Sequence, residues 1–242
     1  MKPILLLQYR TDESRHHEQL CIAKKLGLTI ENLDIRNVIE QQPLPTPQQL
    51  QNYAGVISGA SGQFNVTDWS AQVQSAIEKT YPLMDQIIAQ DFPFLALCFG
   101  HQLLAQMYQG KVERNPRQAE SGSTRIMLTP PGQNSPLYTS LPKQFYSASG
   151  HKDSVTKMPT DAKLLAISEK CFIQSYQIKN NIFTTQFHPE LDIDDVKFRL
   201  TLRPEYLFGR TVDEIISEYK DISQSGIILK NLRDVMEKYR EL

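Results

Sequence analysis

The sequence is short of cysteine, of net charge and of long apolar runs. Only three of its 242 residues are cysteines, Cys21, Cys98 and Cys171, an odd set without paired spacing. Such a set builds neither a disulfide framework nor a tetrahedral zinc site, so no metal and no cofactor are expected. The 26 basic and 27 acidic residues leave a formal net charge of -1. No overall field therefore draws the chain to nucleic acid or to an anionic membrane surface. No stretch reaches the ~20 apolar residues of a membrane span. The apolar N-terminal run Ile4-Leu5-Leu6-Leu7 is too short for a signal-peptide core with its cleavage site and suits a buried first strand. Internal repeats and low-complexity tracts are missing too. A reduced, cytoplasmic protein is the expectation.

Hydrophobic residues make up 40% and charged residues 22% of the chain, a globular profile of a size that one domain over 1–242 accommodates. The first half alternates strand and helix patterns. Strands are expected over 3–8, 29–35, 53–58 and 92–97, and helices over 18–26, 69–90 (interrupted near Pro82) and 100–108. Pro43, Pro45 and Pro47 mark a loop. This order predicts a doubly wound, mainly parallel sheet with helices on both faces. Ligands in such sheets bind beyond the carboxyl ends of the strands, here after Ser58 and after Leu97. Short strands expected over 123–128, 145–148, 164–168, 172–178 and 182–187 imply an added antiparallel portion. Residues 192–242 read as a C-terminal helical extension, with amphipathic spacing over 212–219 and 227–239.

The segment Phe94-Leu95-Ala96-Leu97-Cys98-Phe99-Gly100-His101-Gln102 carries the chemistry. An apolar strand runs into a cysteine and a helix starts at once behind it, as in a nucleophile elbow. Gly100 is the small residue such a turn needs. The positive end of the helix dipole favours a thiolate at Cys98. The amide N–H of Phe99 points at any carbonyl that Cys98 attacks and can hold the oxyanion. A thiol nucleophile needs a base, and the base an orienting acid. Phe187-His188-Pro189-Glu190 supplies both at the end of another apolar strand. Taken singly, Cys98 reads as a buried small hydrophobe and His188 as a structural residue; together they read as Cys98, His188 and Glu190 of a catalytic triad.

These two motifs resemble the signature of class I glutamine amidotransferases, whose fold is flavodoxin-like. The likeness is strongest to the amidotransferase domain of GMP synthases and runs from the first strand to Glu190. Three further segments fit the same order: Val56-Ile57-Ser58-Gly59-Ala60-Ser61, Gly110-Lys111-Val112-Glu113-Arg114-Asn115-Pro116, and Ser149-Gly150-His151-Lys152-Asp153-Ser154-Val155. The resemblance implies Cys98 as nucleophile, His188 as general base and then acid, and Glu190 as orienting carboxylate. It implies an oxyanion hole from the amides of Phe99 and of Gly59 or Ala60. It also implies a substrate pocket built from Gln102 and the backbone of His151, Lys152 and Asp153. The reaction it implies is hydrolysis of a γ-glutamyl amide, glutamine first, through a thioester. Two positions depart from the pattern. Ala96 stands where the family has glycine, and Ala60-Ser61 where it has Gly-Pro. The latter loop is more similar to that of plant γ-glutamyl peptidases, relatives that cut γ-glutamyl peptides.

Other candidates have plainer readings. His101 should be carried away from the thiol by its helix. His16 and His17 read as solvated loop residues, and Cys21 and Cys171 as inert core thiols. Asp192, Asp194 and Asp195 read as an acidic helix start rather than a metal site, and Lys230, Arg233, Lys238 and Arg240 as the wet face of the last helix. No P-loop or synthetase domain follows Glu190, so an acceptor for released ammonia is expected on a separate synthetase polypeptide. The competing reading is a catalytically weak binding or regulatory module on the same fold. Rapid alkylation of Cys98 would favour the enzyme.

Overall fold

The computed structural model of the chain describes residues 2–207 and 209–241, and residues 1, 208 and 242 lie outside the description. Its strands in chain order are β1 (Ile4–Gln8), β2 (Leu33–Asn37), β3 (Gly55–Ser58), β4 (Phe94–Leu97), β5 (Lys111–Arg114), β6 (Glu120–Leu128), β7 (Gln144–His151), β8 (Asp153–Lys157), β9 (Lys163–Ile167), β10 (Ser175–Ile178) and β11 (Ile182–Thr185). The helices are α1 (Ser14–Leu26), α2 (Ala71–Glu78), α3 (Tyr81–Gln90), α4 (Phe99–Met107), the single turn α5 (Pro130–Gln133), α6 (Ile193–Leu202), α7 (Val212–Ser217) and α8 (Ile227–Tyr239).

Residue parity along the central strands sets the layers. Leu5, Leu7, Val56, Phe94 and Ala96 point into one apolar cluster, and Ile4, Leu6, Ile57, Leu95 and Leu97 into another. Successive side chains of a strand face opposite sides, so these strands are buried on both faces and need a cover on each. Helices α2, α3 and α4 cover the first face with Val73, Ile77, Leu83, Ile87 and Leu103. Helices α1 and α8 cover the second with Ile22, Leu26, Ile228, Leu232 and Met236. The fold is the expected doubly wound one.

Nine strands form one sheet in the order β2-β1-β3-β4-β11-β10-β9-β6-β7. From β2 to β11 the pairs are parallel; from β11 to β7 they are antiparallel. Strands β5 and β8 pair separately as an antiparallel ribbon. In the parallel part Leu7 pairs with Ser58, Ser58 with Ala96 and Leu97 with Thr185. The chain therefore leaves β1, β3, β4 and β11 along one edge, and whatever follows Gln8, Ser58, Leu97 and Thr185 is brought together there.

Several boundaries differ from the sequence reading for local reasons. The second strand starts only at Leu33 because Thr29 and Asn32 close a capping box around a 3-10 turn, Ile30–Asn32. The helical stretch before β4 is two helices, with Pro82 in the first turn of the second, where its missing N–H has no helical acceptor to lose. Strand β8 and helix α6 were not foreseen. Cys171 lies in a turn before β10 rather than in a strand, its N–H donating to Ser168 Oγ at 2.9 Å. Arg233 is no solvated residue: its Nη1 donates to the Leu26 carbonyl at the end of α1. No helix among the described residues is long and apolar enough to cross a membrane.

Helix α8 is not merely appended to the sheet. A Cβ on Gly55 would stand 2.3 Å from Met236 Cε, so only glycine lets β3 meet α8 this closely. Leu232 of α8 is fully buried, whereas Lys230 is exposed. Leu232→Ala is expected to cost about 2–5 kcal/mol, read as a lower urea midpoint. Lys230→Ala should stay within about 0.5 kcal/mol of the parent.

Candidate active site

At the end of β4 the backbone turns through Cys98 with φ 46° and ψ -96°. A non-glycine residue there is strained by about 1–3 kcal/mol and persists only where its surroundings hold it. Three contacts do so. The Cys98 N–H donates to the Thr185 carbonyl at 2.7 Å. The Cys98 carbonyl accepts from Gln102 N–H at 3.1 Å, which opens α4. Gly100 lies against β3, where an added Cβ would be 2.6 Å from Ser58 Oγ and 2.7 Å from the Ser58 carbonyl oxygen. Glycine is needed here for close approach.

Beyond β11 the chain carries His188 to β7, where its N–H donates to the Ala148 carbonyl at 2.8 Å. His188 Nδ1 lies 2.7 Å from Glu190 Oε1, and Glu190 is fully buried. Burial alone would push the His188 pKa down. The charges of Glu190 and Cys98, with the hydrogen bonds they make to the ring, more than reverse this and raise it to about 10. Burial would likewise push Glu190 up, but the charge and hydrogen bond of His188 and the charge of Arg199 hold it below the usual carboxylate range. Cys98, His188 and Glu190 are thus brought together and electrostatically coupled.

Gln186 was missed by the sequence reading. It is fully buried, and its Nε2 donates to Cys98 Sγ at 3.5 Å. Its Oε1 accepts from Gln102 Nε2 at 2.9 Å, and the same Nε2 donates to the Asp153 carbonyl at 2.8 Å. A relay of two amides therefore runs from β8 to the sulfur. The available signal was a polar amide, Gln186, inside an otherwise apolar run just before His188.

The anticipated oxyanion donors need correction. Gly59 N–H donates to the Leu7 carbonyl at 2.9 Å, which prolongs the β1–β3 ladder by one residue. Ala60 N–H donates at 2.9 Å to Glu18 Oε1, a buried carboxylate from α1 that also binds Arg10. Both amides are engaged. Among the described residues, the amides of Phe99 and Ser61 have no backbone carbonyl as acceptor. The His151–Asp153 backbone is placed differently too. His151 is turned into the sheet, with Nε2 3.2 Å from Glu120 Oε2 and Nδ1 3.0 Å from the Asp153 carbonyl oxygen. The Asp153 carboxylate accepts from Thr67 and Arg114. Lys152 lies over the Tyr206 ring, 4.9 Å from its centroid. Ser149 and Gly150 instead line the cleft beside His188, with Ser61 and Gly62 opposite.

His101 is fully buried, its Nδ1 2.8 Å from Thr184 Oγ1, and burial, then the charge of His151, lowers its pKa to about 3. It is a structural residue. His16 and His17 lie in α1, not in a loop. Asp192 and Asp195 form the capping box that starts α6. Asp195 also joins His17 and Cys21 in a second cluster of Cys, His and carboxylate. That cluster suits neither a nucleophile nor a metal. Burial and the Asp195 charge push the Cys21 thiol up. His17 Nε2 is bonded to Asp195 at 3.0 Å, and His17 Nδ1 accepts from Arg199 Nε at 2.8 Å. No ring lone pair is left, and the guanidinium would repel a cation.

Residues 22–197 match the family described as glutamine amidotransferase class-I. γ-Glutamyl peptidase 4 of Arabidopsis thaliana is 32% identical over 70% of this chain and 66% of its own. A stand-alone polypeptide of the glutamine-hydrolyzing GMP synthase of Methanocaldococcus jannaschii is 33% identical over 48% of this chain and 60% of its own. The glutamine-hydrolyzing GMP synthase of Petrotoga mobilis is 36% identical over 45% of this chain, which spans only 21% of that protein. Among solved structures, a glutamine amidotransferase from Thermotoga maritima superposes with a TM-score of 0.75 at 18% identity, covering 97% of each chain. A glutamine amido transferase from Methylobacillus flagellatus gives 0.75 at 19% identity, covering 98% of this chain and 95% of that one. At such identities the likeness speaks to fold.

Removing the amide relay should slow alkylation of Cys98. Gln186→Leu deletes a hydrogen bond to a sulfur that carries charge, worth about 1.5–3 kcal/mol, so iodoacetamide labelling at pH 7 is expected to fall about tenfold or more. Intact-mass time courses measure it, and an unchanged rate would show the relay to be idle. The His188 shift also gives a stability signature. Its folded pKa of about 10 exceeds its ordinary 6.5, so its contribution is full below about pH 6.5, shrinks above it and is gone once the pH has passed about 10. The Glu190 contribution runs oppositely and is lost as the pH falls through the lowered carboxylate pKa. Thermal melts should show wild type losing more Tm between pH 8 and 10.5 than His188→Gln does.

Proposed function

The chain belongs to the class I glutamine amidotransferase family, and from that premise we propose that it cleaves γ-glutamyl amide bonds through a thioester on Cys98. The observation that carries this reading is the strained turn at Cys98, set beside a histidine that a buried carboxylate holds at 2.7 Å.

In this mechanism the Cys98 sulfur attacks the γ-carbonyl carbon while the Phe99 N–H, with an amide of the 59–61 loop, stabilises the oxygen that gains charge. The C–N bond breaks, and the proton held by His188 goes to the departing nitrogen. Water then attacks the thioester, His188 takes its proton, the C–S bond breaks, and glutamate leaves with Cys98 again a thiolate. Glu190 keeps the imidazole oriented and stabilises its charged form. Gln186 and Gln102 position the sulfur and wall the glutamyl group.

The relative named γ-glutamyl peptidase 4 supports water as the second nucleophile. The relative named as one component of a GMP synthase supports a second reading, in which glutamine is the substrate and its ammonia passes to a separate synthetase polypeptide. The three free cysteines support a reducing, cytoplasmic setting.

The decisive experiment is glutamate release from glutamine, glutathione and γ-glutamyl dipeptides by wild type and three variants. Cys98→Ala and His188→Ala should each lose about 10²–10⁴-fold or more, with melts showing them folded. Glu190→Gln should keep more turnover than either, because it orients rather than reacts. An active Cys98→Ala variant would sink the mechanism. Because His188 must be protonated to release the leaving nitrogen, kcat/KM should fall only as pH rises through about 10, with no alkaline break near 6.5.

A further inference from the structure

The cleft that opens on His188 is walled by three guanidinium groups, those of Arg10, Arg199 and Arg203. Arg10 follows β1 and is held by Glu18 at 3.1 Å and by Ser14 Oγ at 3.0 Å. Arg203 follows α6 and is paired with Asp12. Arg199, within α6, donates through Nε to an imidazole nitrogen of His17 at 2.8 Å. These pairings leave donors over. Arg199 Nη2 and Arg203 Nε are both buried without a hydrogen-bond partner, and a buried donor without an acceptor is costly.

The unmet donors are directed at the cleft. A methyl group on Gly62, which lines it, would stand 2.9 Å from Arg203 Nε and 3.3 Å from Arg10 Nη1. Two guanidinium groups thus converge on one unfilled point, the arrangement that takes a carboxylate. The local charge is not balanced from within. Glu18 answers Arg10, Asp12 answers Arg203, and Glu190 is bonded to His188, which leaves the charge of Arg199 over.

Position tells which carboxylate belongs there. His188 lines this cleft, but Cys98, Phe99 and Gln102 do not. In the mechanism above, the atom that receives the His188 proton is the departing nitrogen, so the space beyond His188 on this side holds the leaving group. Ammonia from glutamine would leave it empty, whereas an amino acid would put its own carboxylate among the guanidinium groups.

Resting on the hydrolytic reading, we propose that this cleft selects γ-glutamyl amino acids and peptides whose leaving group carries a free carboxylate, with Arg199 and Arg203 as its specificity-determining residues.

The test compares γ-glutamylglycine with γ-glutamylglycinamide, which differ by one charge at nearly equal size, alongside glutamine. Wild type should prefer the acid over the amide at least tenfold in kcat/KM, mostly through KM, and the preference should weaken as salt rises. Arg203→Gln should bring the acid-to-amide ratio toward one. Gly62→Ala, which fills the point of convergence without removing a charge, should lower the same ratio. The substrate pair decides the matter in wild type even where a variant folds poorly. A wild-type ratio near one, with both compounds hydrolysed, overturns this inference and leaves γ-glutamyl hydrolysis standing. If none of the three compounds is hydrolysed, the underlying reading falls and this inference with it.

Discussion

The hydrogen bond from Cys98 N–H to the Thr185 carbonyl, 2.7 Å long, ties the strand that ends in the thiol to the strand that leads to the histidine. It lies at the last rung of the β4–β11 ladder, so the parallel register itself sets the spacing of the reacting groups. The turn at Cys98 is unfavourable for any side-chain-bearing residue, and it survives because that rung, the start of α4 and the contact of Gly100 with Ser58 all fix it at once. Remove the register and the thiol has no reason to face the imidazole. The energy stored in the turn is small beside the burial of β4, whose four residues are fully enclosed.

How much of this could be read from the sequence follows from how local each signal is. The elbow and the His188–Glu190 pair were legible because each is a short motif at the end of an apolar strand, where period and chemistry coincide. The two-faced sheet was legible because Ile4 to Leu7 is apolar at every position. What was not legible depends on contacts between distant segments. Gln186 gains its place only when Gln102 and Cys98 arrive from α4 and the elbow. Ala60 loses its free amide to Glu18, a residue 42 positions earlier. His17 was misplaced because α1 begins at Ser14, ahead of the apolar spacing that first marks it as a helix. Arg10, Arg199 and Arg203 come from two ends of the chain and share a cleft only through the fold.

Two buried ion pairs flank the elbow. Glu190 with His188 lies on one side, and Glu18 with Arg10 lies on the other. Buried pairs contribute little net stability against an apolar replacement, yet removing one partner leaves an uncompensated charge. Each pair here also holds something else in place. Glu190 fixes the ring of His188, and Glu18 holds the amide of Ala60 in the loop after β3. Charge burial at this edge of the sheet therefore serves geometry more than stability.

The seating of Met236 over Gly55 has a kinetic side. Strand β3 and its neighbours present Ile4, Leu6, Ala54 and Ile57 to a face that α8 helps to close. Helix α8 is the last element to leave the ribosome, long after β3, so the nascent sheet must carry that apolar face open to water through most of synthesis. During that interval the strand that will position the elbow has no partner on one side. The working edge of the protein is thus locked only after its most distant segment has docked, and the waiting intermediate is where a chaperone, or a second unfinished chain, would find its hold.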